Sequence, residues 1–449
     1  MICRTHTLRD GVSSVVADSG DVVLVSWPHV ENLGRLTAPQ LEVLRALAAG
    51  QRSDQPAALS TPTEAAQLLA RLRAGGWIRT DVATADGAGL FSTTPRWPRA
   101  RPDRPVRPRR LSRFAAIRRE GSDTVLDSPL ASCAVTLHDP RLVCTVVDPE
   151  GSPAVTSEVA EALLDELADA GLLETATETA RLSRAQWSAH ELAFHHGSRL
   201  RTDHRMGEDF GGTYWARDTF PAPPGRHPAW RSEPVVLARP DLTTLRQTDP
   251  SLSAVVEDRR SLRTYDDAAP LTLEQLGHFL FRTARVRSSG EFDGHELSSR
   301  PYPSGGAAYE LEIYPLVRTV RGLPSALYHY DPHDHVLRRV PASATAQRGL
   351  MASSAAGLTG DGVPQVLLLI STRFGRLAWK YQSMAYALTL KHVGVLSQTM
   401  YLTATAMGLA ACAIGVGDSD AFADATGLDY VEETSVGEFA LGSPGRVPQ

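Results

Sequence analysis

The chain of 449 residues is 42% hydrophobic, enough for two or three domains with real cores, and its formal net charge of −5 argues against a general nucleic-acid binder. Cys3, Cys133, Cys144 and Cys412 have no metal-ligand spacing and are too few for a disulfide scaffold, and the N-terminus lacks a continuous apolar run of the signal-peptide kind. The expectation is therefore a cytoplasmic protein with no metal and no membrane anchor.

Residues 1–95 are expected to form one small unit. A strand-like DVVLVSW is followed by the helix TAPQLEVLRALAAG with Gly50 as its stop, a second helix TPTEAAQLLARLRAGG, and an extended WIRT. Helix, helix and short strand are the order of a winged-helix unit. Residues 96–119 read as a linker: the stretch 95–119 holds ten arginines and five prolines around one acid, Asp103, which excludes a helix interior and favours extended chain. Such a tether is either a solvated spacer or an electrostatic handle for an acidic partner.

A second winged-helix-like unit is expected over residues 120–180, because LLDELADAGLL (163–173) aligns without gaps on LLARLRAGGWI (68–78). Its helix carries Glu158, Glu161, Asp165, Glu166 and Asp169 and no base, which does not suit a phosphate-facing recognition helix. Binding of a protein or peptide fits better. Residues 181–250 read as a connecting segment, with His195, His196 and His204 on the surface and a proline-broken stretch over 221–240.

The domain expected over residues 251–449 carries the chemistry. After an apolar helix comes Arg259-Arg260-Ser261-Leu262-Arg263, three guanidinium forks and a hydroxyl that suit a phosphate. The turn PYPSGG, containing Pro303, Ser304 and Gly305, leads into a strand at Leu311, and its small residues let a flat ring approach the backbone. A hairpin, ALYHYDPHDHVLRRV, is expected to present His329, His333 and His335 at a polar tip, and PQVLLLIST is a buried strand. Residues 377–409 contain no proline and are dense in Ala, Leu and Met, which predicts one helix of about 50 Å, buried on all sides and partly against another subunit. The chain has only two lysines, Lys380 and Lys391, so a lysine kept at 380 beside Tyr381 points to a proton-transfer duty that arginine cannot perform. AACAIG then reads as a buried strand ending at Ile414 and Gly415, where backbone amides can meet a ligand, and Arg446 offers a further phosphate contact after the last strand, VGEFALG.

Arg-Arg-Ser-x-Arg, Pro-Ser-Gly-Gly, Lys-Tyr, Gly-Leu-x-x-Cys-x-Ile-Gly and a closing Gly-x-Pro, in this order, resemble the nitroreductase-like flavoproteins, and more narrowly the SagB/ThcOx-type azoline dehydrogenases. The resemblance implies an α+β FMN domain behind two winged-helix-like peptide-clamp units, working as a homodimer with flavins at the subunit interface. It implies that Arg259, Arg260, Ser261 and Arg263 hold phosphate and ring oxygens, that Pro303, Ser304 and Gly305 line the ring, that Ile414 and Gly415 lie near its reactive edge, and that Lys380 and Tyr381 form the catalytic pair. The implied reaction oxidises thiazolines or oxazolines of a ribosomally made precursor peptide to azoles, with O2 as acceptor and a cyclodehydratase as partner. Two positions depart from that pattern: Ala387 stands where members carry Arg, and Val395 where they carry His. A nitroreductase or flavin reductase using NAD(P)H and a non-catalytic peptide scaffold are the alternatives.

Overall fold

The structure, a computed structural model, describes residues 1–26, 29–50, 62–96, 105–106, 109–149, 151, 154–200, 207–358 and 362–445. The chain folds as two compact units, residues 1–205 and 206–449. Among the described residues no helix is long and apolar enough to cross a membrane.

In the first unit, six antiparallel strands run in the order Ile2–Leu8, Ile78–Thr84, Gly89–Pro95, Cys133–Leu137, Asp123–Asp127 and Ala116–Glu120. Val82, Phe91, Leu126 and Val135 of this sheet share a core with Leu163 and Leu167 of the helix Ser157–Ala170. A smaller core joins the helices Ala38–Ala48 and Pro62–Ala74 to a three-stranded sheet through Leu24, Leu44, Leu68 and Leu72. The expected division into 1–95 and 120–180 therefore cuts through one sheet, since Gly89–Pro95 pairs directly with Cys133–Leu137. Part of the expected linker is an edge strand, Ala116–Glu120, where Arg118 pairs with Glu120 and Asp127. Charged side chains suit a strand with one side open to water, which is why arginine density alone misread it.

The sequence repeat does reappear as backbone geometry. Gly76 and Gly171 both turn left-handed, at φ +73° and +76°. The amides that follow them, Trp77 and Leu172, both bond back to Leu72 and Leu167 at 2.9 Å. This is the same glycine-closed helix end written twice.

The second unit is built on a seven-stranded antiparallel sheet in the order Pro234–Val236, Val336–Arg339, Ala326–Asp331, Leu311–Val317, Val366–Arg373, Glu433–Gly442 and Ala410–Ile414. The run VLLLI is continuous because both of its faces are covered. Leu368 and Ile370 pack with Phe279 and Leu280 of the helix Leu273–Ala284 and with Leu396 and Met400 of the helix Ala385–Ala406. Leu367 and Leu369 pack with Leu350 and Phe422 on the opposite face. His329 and His335 are buried within the hairpin, not at a polar tip: His329 meets Glu312 at 3.2 Å, and His335 bridges the Tyr330 hydroxyl and the Ala238 carbonyl.

The single helix expected over 377–409 is broken. A short helix, Phe374–Ala378, is followed by an extended pair, Tyr381–Gln382, and the long helix begins only at Ala385, leaving 22 residues, about 33 Å. The cause is tertiary. Residues 209–220 take the backbone groups a helix would use: Trp215 Nε1 donates to the Ala378 carbonyl, the Tyr214 amide to Lys380, and Gly211–Gly212 pairs with Tyr381–Gln382. Ser383 completes the break at φ +63°.

Candidate functional site

The break in the helix is what aims Lys380 and Tyr381. Both are half-buried, and they converge on the glycine turn of residues 304–306. A Cβ built on Gly306 would lie 2.6 Å from Lys380 Nζ and 2.7 Å from the Tyr381 hydroxyl, so the turn admits these groups only because it has no side chain there. Gly306 itself is left-handed at φ +59°, as are its neighbours Ala307 and Tyr309. Lys380 Nζ also sits 5.4 Å from the Tyr214 ring centre.

Fully buried Arg376 fixes the far side of this turn, donating to the carbonyls of Ala308, Pro223 and Glu296. His295 stacks on Trp379 and is pushed down to about 4 by burial and by the nearby charges of Arg376 and Lys380, so it stays uncharged at neutral pH.

A second group of expected residues gathers at the other end of the long helix. Tyr401 is its hub: the hydroxyl pairs with Ser261 Oγ at 2.9 Å and accepts the Ala413 amide at 2.7 Å, while Arg259 lies over the ring at 5.4 Å. The Leu262 amide donates to Ala411, which joins the arginine segment to the strand ending at Ile414. Neither Arg260 nor Arg263 has an ion-pair partner among the described residues. Ile414 is buried, and Gly415 faces open space. Beside it, the Glu438 carboxyl lies against Gly417 and is pushed up to about 7 by burial, so it is part protonated near neutral pH. Pro303 is exposed, and Arg446 lies outside the described residues.

The two groups are joined by one rigid element. His392 and Tyr401 lie nine positions apart on the same helix, roughly 13 Å along its axis. His392 belongs to the first group: its Nε2 meets the Gly305 amide at 2.8 Å and its Nδ1 meets Glu310 at 2.6 Å. Sequence reasoning missed Glu310, His392 and Tyr401. For Glu310 and His392 no local signal existed, since the contact spans 82 positions of chain.

A cleft of about 830 Å³ lies elsewhere in this unit, lined by Trp230, His227, Arg373 and Glu433 among others and by none of the residues expected from sequence. Within it His227 pairs with Glu433 at 3.0 Å, and the Tyr314 hydroxyl donates to the same carboxylate at 3.0 Å.

The profile of the nitroreductase family matches residues 256–443. MJ1384 of Methanocaldococcus jannaschii, named as a nitroreductase, is 30% identical over 176 residues, which cover 39% of this chain and 81% of that protein. The chain belongs to the nitroreductase family. Elsewhere in the chain, residues 109–204 match the profile of the cyanobactin oxidase ThcOx, in agreement with the SagB/ThcOx-type resemblance of its motifs. The microcin B17-processing protein McbC of Escherichia coli is 30% identical over 115 residues, 24% of this chain and 42% of McbC, less than half of that protein's length. Among solved structures, the E. coli microcin synthetase McbBCD complex with truncated pro-MccB17 overlaps loosely, with a TM-score of 0.36 and 20% identity over 52% of this chain and 91% of that one.

Proposed function

We propose that the protein is an FMN-dependent dehydrogenase that oxidises thiazolines or oxazolines in a ribosomally made peptide to the aromatic azoles. The observation that carries this reading is the convergence of an ammonium and a phenol, Lys380 and Tyr381, on the bare backbone of Gly306. Plain flavin reduction by a nicotinamide needs no such proton-handling pair, whereas azole formation must remove a carbon-bound proton.

The residues fit a flavin. Among the described residues Arg260 and Arg263 have no ion-pair partner, and Ser261 is bonded to Tyr401 with Arg259 over its ring, a donor set suited to the phosphate. Gly415 has open space where a side chain would stand, room for a flat ring to approach the backbone, and Pro303, Ser304 and Gly305 are proposed to line that ring. FMN, when bound, supplies a two-electron acceptor for the hydride lost from the azoline, and O2 is the proposed terminal acceptor.

The chain's own residues manage the proton. One member of the Lys380–Tyr381 pair takes the α-proton, and the other, held at the same point, assists it by charge or hydrogen bond. Either assignment is chemically allowed. The Gly306 turn keeps both groups at one point, which turns the proton transfer into an effectively intramolecular step.

A homodimer is part of the proposal. The long helix buries Thr389, His392, Leu396 and Met400 along one stripe only, leaving Tyr386 and Leu390 exposed, and a second copy would cover them. The first unit is proposed to clamp the precursor peptide, and a cyclodehydratase is the proposed source of the azolines.

The test is visible absorption of the purified protein, followed by titration with a nicotinamide and with an azoline peptide. A yellow protein bleached by the azoline peptide supports the proposal. Colourless protein that fails to take up FMN overturns it, and bleaching by NAD(P)H alone favours an ordinary nitroreductase.

A further inference from the structure

The turn that receives Lys380 and Tyr381 is tied by a ring of hydrogen bonds whose directions fix its protonation. The Gly305 amide can only donate, so Nε2 of His392 carries a lone pair and no proton. The imidazole proton therefore sits on Nδ1 and is donated to Oε1 of Glu310 at 2.6 Å. Oε2 of the same carboxylate accepts the Ser304 hydroxyl at 3.2 Å, and Ser304 Oγ in turn accepts the Tyr309 amide at 3.1 Å. Chain and side chains thus close a loop: Ser304, Gly305, His392, Glu310 and back to Ser304.

An imidazole that accepts at Nε2 and donates at Nδ1 is neutral. Glu310 is 0% exposed and His392 6%, so both polar groups are held away from water. Burying polar groups is costly, and an apolar pair of similar volume would fill the space without them. What an apolar pair cannot supply is an acceptor for the Gly305 amide and for the Ser304 hydroxyl. The turn needs such ties, because Gly306, Ala307 and Tyr309 all hold positive φ within four residues, and conformations of this kind persist only where the surroundings over-determine them.

We infer that Glu310 and His392 are positioning residues of the proposed flavin site. They lock the turn of residues 304–306 so that Gly306 stays open to Lys380 and Tyr381, and they act through the turn without touching the reacting atoms. The inference rests on the flavin reading above.

Two measurements test it. Nitrogen NMR of wild-type protein labelled in histidine, with His392 assigned by difference from His392→Gln, is expected to show the neutral ring protonated at Nδ1; an imidazolium, or a ring protonated at Nε2, overturns the inference. FMN dissociation constants and the visible circular dichroism of bound flavin are then compared across His392→Leu, His392→Gln, Glu310→Leu and Glu310→Gln. The leucine variants should bind FMN at least tenfold more weakly with an altered dichroism spectrum. The glutamine variants, which keep an acceptor and a donor, should recover most of the loss. Folded His392→Leu that binds FMN as tightly as wild type with an unchanged spectrum sinks this inference alone. Wild-type protein that binds no FMN sinks the flavin reading and this inference together. Should the leucine variants fail to fold, the wild-type ring spectrum still decides.

Discussion

The two units differ in where they keep backbone strain. Among the described residues, every non-glycine with positive φ lies in residues 206–449: Tyr214, Asp293, Ala307, Tyr309, His335 and Ser383. In residues 1–205 the left-handed positions are all glycines, such as Gly34, Gly76 and Gly171. Four of the six strained residues, Tyr214, Ala307, Tyr309 and Ser383, bracket Lys380 and Gly306. Strain held by packing is what a site needs when side chains must be kept at one point, and relaxed glycine turns suffice for a scaffold that presents surfaces. The contrast fits the proposal that places the chemistry in the second unit and peptide recognition in the first.

Removing the support should give the largest effect. Arg376→Met strips donors from the Ala308 and Pro223 carbonyls and is expected to destabilise the second unit by about 3 kcal/mol in a denaturant titration, with the first unit unaffected. A change below about 1 kcal/mol would mean the strained turn holds itself. Next come Lys380→Ala and Tyr381→Phe, expected to keep flavin and to lose more than tenfold in azole formation, over about 1.4 kcal/mol of transition-state stabilisation. Near-normal turnover by both would reduce the pair to a structural contact.

Deleting residues 1–205 tests the other side of the contrast. The remaining unit should oxidise small azoline models normally, while kcat/KM for the peptide falls about tenfold for want of a tethering surface. Unimpaired peptide turnover would give the first unit a different task. The smallest effect is expected at Glu438. Its folded value of about 7 lies above the ordinary 4.5, so the native state binds the extra proton, and the stability this gives is lost as pH rises from about 4.5 through 7. Glu438→Gln, which stays neutral, should flatten that part of the stability profile; an identical profile would show the carboxyl to be solvated.

Much of the second unit was legible in the sequence because its signals are local. Apolar runs and bounding turns mark the central strands, and VLLLI can be buried on two faces whichever helices cover it. The arginine segment and the glycine turn were legible for the same reason. The break at Lys380 was not, because residues 377–409 have helical composition throughout and only the distant stretch 209–220 captures their backbone. Nothing in the sequence marks Arg376 as buried, and three carbonyls brought from other parts of the chain make it a core residue. In the first unit, pairing of Gly89–Pro95 with Cys133–Leu137 crosses the arginine-rich stretch, and no local pattern announces it.

The central claim is that Lys380 and Tyr381, held at Gly306, serve azoline oxidation. It is tested most directly by mixing the FMN-loaded protein, without oxygen or nicotinamide, with a stoichiometric thiazoline peptide. The account predicts bleaching of the flavin absorbance together with loss of two hydrogens from the peptide by mass spectrometry, and neither change with Lys380→Ala. An unbleached flavin and an unchanged peptide mass, in protein whose flavin NAD(P)H readily reduces, would contradict it.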